Sequence, residues 1–260
     1  FLRDVRLGKD VRVREHVLVV GGGNVAMDVA LTALRLGVKQ VEVACLEKRE
    51  EMPAFPWEIQ QAVEEGITIH NSWGVKKILC EGEKISGIEL TRCVSVFDQD
   101  GKFNPSFDES TTQTMKADII IFAIGQAPDM KGLEGADAPK LTALGTISVN
   151  DSTMETSVPN VFACGDIVIG PASIVDAVSL GRRTASAVDK YLGGNGNIEE
   201  TLIAVEKPSS WLGQEEGFAY KGRAEMPILP VEKRQGNFAE VELGFNEKAA
   251  VEEAKRCLRC

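Results

Sequence analysis

Three consecutive glycines, Gly21-Gly22-Gly23, stand between the apolar run His16-Val-Leu-Val-Val20 and a stretch of helix formers that ends at Leu36 and Gly37. A helix can follow a strand this closely only where the backbone turns with no Cβ in the way, so strand, glycine turn and helix is the reading. A second strand, Val41-Glu-Val-Ala-Cys-Leu46, follows within a few residues, and residues 16 to 46 predict a βαβ unit with parallel strands. The spacing inside the turn is Gly21-x-Gly23-x-x-Ala26, with Asn24 and Val25 in the last two open places. Gly21 permits the tight turn, Gly23 lets backbone approach a pyrophosphate, and Ala26 keeps the helix close to the sheet. The small stripe Ala26, Ala30, Ala33, Gly37 supports that close packing. The helix N-terminus, with free N–H groups and a positive dipole end, would hold the diphosphate of a dinucleotide. A glycine turn of purely structural use is the competing reading, and the βαβ context weighs against it.

The dinucleotide type depends on the end of the second strand, Leu46-Glu47-Lys48-Arg49. An acid there accepts hydrogen bonds from ribose hydroxyls, whereas cations hold a 2′-phosphate. Glu47 favours NAD(H), while Lys48 and Arg49 keep NADP(H) open; a Glu47 that is only a solvated loop charge is the third reading. Composition narrows the partners. Lys+Arg number 29 against 39 Asp+Glu, a net charge of −10, which disfavours a surface that must neutralise nucleic-acid phosphates. The longest apolar run, Ile119 to Ile124, is far short of the roughly 20 residues that span a bilayer. Six cysteines, mostly isolated in an acidic chain, read as reduced thiols in the cytoplasm rather than as a disulfide framework. The chain opens at Phe1 and closes on Cys257-x-x-Cys260, which reads as a piece of something longer.

Further along, the pattern predicts a helix over 57–65, a strand over 67–70, and short strands at 75–79, 85–90 and 93–97 in an antiparallel meander. Ile119–Ile124 reads as a fully buried strand that ends at Gly125. Loops then lead to a short strand, Val161-Phe162-Ala163, and a helix from about Ala172 to Leu192 stopped by Gly193-Gly194-Asn195-Gly196. Residues 200–246, with scattered prolines and aromatics, read as an extended arm that packs on a neighbour. A last helix over 247–256 carries the terminal cysteines.

The second motif is Thr156-Ser-Val-Pro159-Asn-Val-Phe-Ala163-Cys-Gly165-Asp166, followed by Gly170-Pro-Ala-Ser173-Ile174. It resembles the second flavin motif of flavoproteins with two dinucleotide-binding domains. Together with Gly21-Gly-Gly-Asn-Val-Ala-Met-Asp28 and Arg49-Glu-Glu-Met-Pro53, it resembles the glutamate synthase small-chain family over residues 1 to about 192. The resemblance implies an α/β fold: a Rossmann-like nicotinamide-binding domain over 1–128, part of a second, FAD-binding Rossmann-like domain over 129–199, and an arm over 200–260. It implies that Asp166 accepts a hydrogen bond from the FAD ribityl chain, that Gly165 allows close approach, and that Gly125 ends the nicotinamide-domain strand. The helix that begins at Ser173 and Ile174 would aim N–H groups at the flavin pyrimidine edge. NADPH-using relatives carry arginines at the places of Leu46 and Glu47. Only one strand-glycine-helix fingerprint is present, so FAD is expected in the intact protein, and a nucleotide-binding or docking module without FAD is the alternative. The resemblance also makes Cys257 and Cys260 the start of an iron–sulfur segment; by themselves they are half a metal site. The implied activity is hydride transfer from NAD(P)H to FAD, with electrons passed to iron–sulfur centres or a redox partner subunit. The cofactors supply that chemistry, so no catalytic side chain is named.

Overall fold

In the computed structural model the described residues are 1–133, 135, 137–198, 217 and 220–256. They fall into two units, one formed by Phe1–Ile124 with Pro208–Cys260 and the other by Gly125–Lys207.

The first unit begins with α1 (Leu2–Arg6), then β1 (His16–Val20), α2 (Asn24–Arg35), β2 (Gln40–Cys45), a 3-10 turn at Arg49–Glu51, α3 (Pro56–Glu64) and β3 (Thr68–Asn71). With β7 (Ile119–Phe122) these strands make a parallel sheet in the order β3-β2-β1-β7. The alternation of β1 explains its central place. Val17 and Val19 pack on the helical side with Ala26, Ala30, Ala33 and Val43, while Leu18 and Val20 pack on the other side with Ala44, Ile88, Leu90 and Met115. A strand buried on both faces needs a continuous apolar run, and this one has it. Ala26, Ala30 and Ala33 are wholly buried, so α2 lies close to the sheet as the small stripe predicts.

The second face is covered by an antiparallel sheet, β4 (Trp73–Glu81), β5 (Lys84–Phe97) and β6 (Phe103–Lys116), in the order β4-β5-β6. The strands read at 85–90 and 93–97 are one strand, bent by irregular register around Thr91–Arg92 and Cys93–Ser95 rather than broken. Strand β6 was not anticipated, because its Ser-, Thr- and acid-rich residues are largely exposed on a sheet edge and leave no apolar alternation. Strand β7 is half-buried rather than fully buried, since it forms the edge of the parallel sheet, and it stops at Phe122.

From Gly125 the second unit is mostly loop, with β-bridges Leu141–Ile147, Val149–Thr156 and Glu155–Phe162, then α4 (Asp166–Ile169) and α5 (Ile174–Tyr191). The strand expected at 161–163 is present only as the bridge at Phe162, whose ring meets Tyr191 edge to face. Ser173 caps α5 through a reciprocal capping box with Asp176. After residue 220 the chain again belongs to the first unit. A 3-10 turn at Val231–Lys233 is followed by α6 (Glu247–Ala254), capped by the Asn246 side chain. Cys257 and Cys260 lie outside the described residues. Among those described, no helix is long and apolar enough to cross a membrane.

Candidate nucleotide-binding site

The three glycines have three different reasons to lack a side chain. Gly21 adopts φ +141°, and a Cβ there would lie 2.3 Å from the Ala123 carbonyl oxygen. It is held on both sides, because its N–H donates to Ala44 O at 2.9 Å and the neighbouring Ala123 N–H donates to Val20 O at 2.8 Å. At Gly22 a Cβ would meet the Glu47 carboxylate, with Oε2 at 2.5 Å. Gly23 is the opposite case. It is the N-cap of α2 in extended backbone, φ −92°, and the nearest atom to an added Cβ is Pro53 Cγ at 4.0 Å. No side chain caps α2, so its first N–H groups face an open approach over Gly23. That geometry fits a diphosphate.

The other residues of the first motif surround this opening. Asn24 starts the helix, and its Oδ1 accepts from Phe55 N at 2.8 Å, while Ala54 N donates to Gly22 O at 3.1 Å. The loop before α3 is thus fastened to the glycine turn. Val25 is exposed on the first turn of α2, and Ala26 is buried beneath Gly21. Glu47 has a fixed backbone: its carbonyl accepts from Ser72 N at 3.0 Å and from Asn71 Nδ2 at 3.1 Å. Lys48 pairs with Glu51 at 3.4 Å on the surface, and Arg49 is exposed at the start of the 3-10 turn. Beside Glu47, burial and then the Glu47 charge push the Cys45 thiol up to about 12, so it remains a protonated packing group. Burial likewise raises the Asp28 carboxyl, one turn into α2, against a smaller opposing effect of Arg35.

Some contributors had no visible sequence signal. Phe55 and Trp57 stack at 4.4 Å although both are substantially exposed. Ser72, directly after β3 and with φ +63°, is buried and supports Glu47.

Residues of the second motif lie in the second unit. Gly165 has φ +75° with open space where a Cβ would stand, and Asp166 begins the short α4 with its carboxylate exposed and free of protein partners among the described residues. Gly125, at φ +107°, has the same open surroundings. The Ser173 hydroxyl is used by the capping box, and Ser173 N–H donates to Asp176 Oδ2 at 3.3 Å. Ile174 and Val175 are exposed at the start of α5, and among the described residues nothing accepts from their N–H groups. An open glycine, a free carboxylate and exposed apolar side chains beside the N–H groups of Ile174 and Val175 leave room for a polar, ring-bearing ligand.

The family model described as pyridine nucleotide-disulphide oxidoreductase matches residues 1–181. The chain is 38% identical over its whole length to the NADP(+)-dependent formate dehydrogenase subunit beta of Moorella thermoacetica, of which it covers 38%. It is 33% identical over 68% of its length to the glutamate synthase [NADPH] small chain of Azospirillum brasilense, covering 37% of that protein. The chain therefore spans about two-fifths of the length of these relatives. Among solved structures, T. acidophilum thioredoxin reductase shares the fold, with a TM-score of 0.54 and 24% identity over 68% of this chain and 53% of that one. The family match, the resemblance to the glutamate synthase small chain and the glycine turn agree: this chain belongs to the pyridine nucleotide-disulphide oxidoreductase family, whose members bind FAD and NAD(P)H.

Proposed function

We propose that this chain is the nicotinamide-binding part of an FAD-dependent NAD(P)H oxidoreductase, and that it binds its dinucleotide across Gly21–Gly23. One observation carries the reading: the backbone at Gly23 is open above an uncapped helix N-terminus, while Gly21 and Gly22 are packed tight. The N–H groups of the first turn of α2 hold the diphosphate, and Glu47 accepts from the ribose hydroxyls. In this chain Lys48 is paired with Glu51, and the carboxylate beside the turn is that of Glu47, which supports NAD(H). The Moorella and Azospirillum relatives are named for NADP(+) and NADPH, so NADP(H) is the alternative that a titration with both nucleotides decides.

In the second unit Asp166 holds the flavin side chain, Gly165 and Gly125 give it room, and Ser173 and Ile174 place the start of α5 at its ring. When bound, the nicotinamide supplies a hydride and the flavin accepts it. The domain reading is a nicotinamide domain over 1–128, part of a flavin domain over 129–199 and an arm over 200–260. Cys257 and Cys260 would contribute to an iron–sulfur site that passes electrons to a partner subunit; the Moorella relative is itself named as a subunit. The described cysteines Cys45, Cys80, Cys93 and Cys164 are unpaired thiols, which suits the cytoplasm. Stopped-flow mixing of the FAD-loaded protein with NADH or NADPH tests the activity. Bleaching of the flavin by either nucleotide is expected, and no bleaching by both refutes the oxidoreductase reading. A colourless chain that still binds NADH is a nucleotide-binding module instead.

A further inference from the structure

Glu65, the residue that closes α3, has a side chain wholly inside the first unit, where an unpaired carboxylate is strongly disfavoured. The negative end of the helix dipole adds to that cost. Three donors offset it. Arg35 Nη2, from the last turn of α2, reaches Oε1 at 3.1 Å and Oε2 at 3.4 Å. Gln61 Nε2, one turn back on α3, reaches Oε1 at 3.2 Å. Arg234 Nη1 reaches the same oxygen at 3.3 Å from 169 residues away in sequence. Arg234 is only 5% exposed, and its Nε donates to Leu229 O at 2.5 Å. One guanidinium therefore joins the backbone of the arm to a carboxylate of the nicotinamide-binding unit.

The arm around Arg234 is folded. Ile228 bridges to Glu242, Leu229 N donates to Val241 O, Leu243 N donates to Pro227 O, and the 3-10 turn at Val231–Lys233 delivers Arg234. Ala224 N donates to Glu253 Oε2, which ties α6 to the segment that leads into Pro227 and Ile228. We propose that residues 220–256 are a strap of the nicotinamide-binding unit, seated by Arg234 in a socket of Glu65, Arg35 and Gln61, so that α6 is carried by that unit. Arg35 and Gln61 stay on Glu65 when Arg234 leaves, so the strap can lift while the parallel sheet stays folded. Helix α3, which Glu65 closes, is pinned at its other end, where Ala54 N and Phe55 N donate to Gly22 O and Asn24 Oδ1.

Amide hydrogen exchange on the full chain tests the strap in Arg234→Met and Arg234→Lys. In Arg234→Met the amides of Ala224, Leu229 and Leu243 should exchange about tenfold faster or more, and those of Val17–Val20 should change less than about twofold. Arg234→Lys keeps the charge and should retain more protection than Arg234→Met. Three results would overturn the proposal: unchanged arm protection in Arg234→Met, equal acceleration in arm and β1, or no greater protection in Arg234→Lys than in Arg234→Met.

Discussion

Replacing Gly21 by alanine should destabilise the fold through two separable effects. The first is conformational: φ +141° is a region that a side-chain-bearing residue occupies only under strain of about 1–3 kcal/mol. The second is steric, since the new Cβ would stand 2.3 Å from Ala123 O and 2.9 Å from Ala123 C. Those atoms are backbone at the end of β7, so they can withdraw only by loosening the bond from Ala123 N to Val20 O, worth about 1 kcal/mol. The total is roughly 2–4 kcal/mol, or a fall in Tm of about 5–15 °C for a chain of this size. Gly37→Ala is the control, because Gly37 has φ +92° but nothing within 4 Å of an added Cβ, so it incurs only the strain. Thermal melts followed by circular dichroism compare the two. If Gly21→Ala melts as high as Gly37→Ala, the close approach to Ala123 has no energetic weight and the reasoning fails.

Two more predictions concern the neighbourhood of Glu47. Glu47→Arg should move nucleotide preference toward NADPH by about tenfold or more, read as the ratio of Kd values for NADH and NADPH, since a cation would replace the ribose acceptor; an unchanged ratio would remove Glu47 from the site. Cys45 keeps its proton in the folded state until about 12, against 9.0 as its ordinary value, so the unfolded chain ionises first as pH rises. Its contribution is intact below 9.0 and is lost progressively toward 12, and denaturant midpoints for Cys45→Ala should fall less steeply across that window than those of the parent. Parallel pH profiles for the two would contradict the burial argument.

The parts of the fold that were legible are those in which local pattern and tertiary environment agree. β1 announces itself because both faces are buried, and α2 because its small stripe must meet the sheet. β6 was silent because an exposed edge strand needs no apolar alternation, and Pro105 within it argues against a strand unless the edge is recognised. In the site, the positions of Gly21, Gly23 and Glu47 follow from spacing. The turn of the Glu47 carboxylate over Gly22 does not, since it depends on Asn71 and Ser72 from another strand end. Arg234 was hidden for a related reason. A cation among prolines has no periodicity, and the carboxylate that buries it is 169 residues distant.

If a dinucleotide lies against the open backbone of Gly23, the affinity of Gly23→Ala must show it. The protein itself leaves room for the methyl, with Pro53 Cγ 4.0 Å away, and φ −92° is ordinary for alanine. Exchanging Gly for Ala at a helix N-cap should therefore cost no more than about 1 kcal/mol, a Tm change within about 4 °C. The methyl would nevertheless stand where the diphosphate approaches, and the Kd for the preferred nucleotide, measured by fluorescence titration, should rise by about tenfold or more. A folded Gly23→Ala chain that binds NADH and NADPH as tightly as the parent would contradict the account.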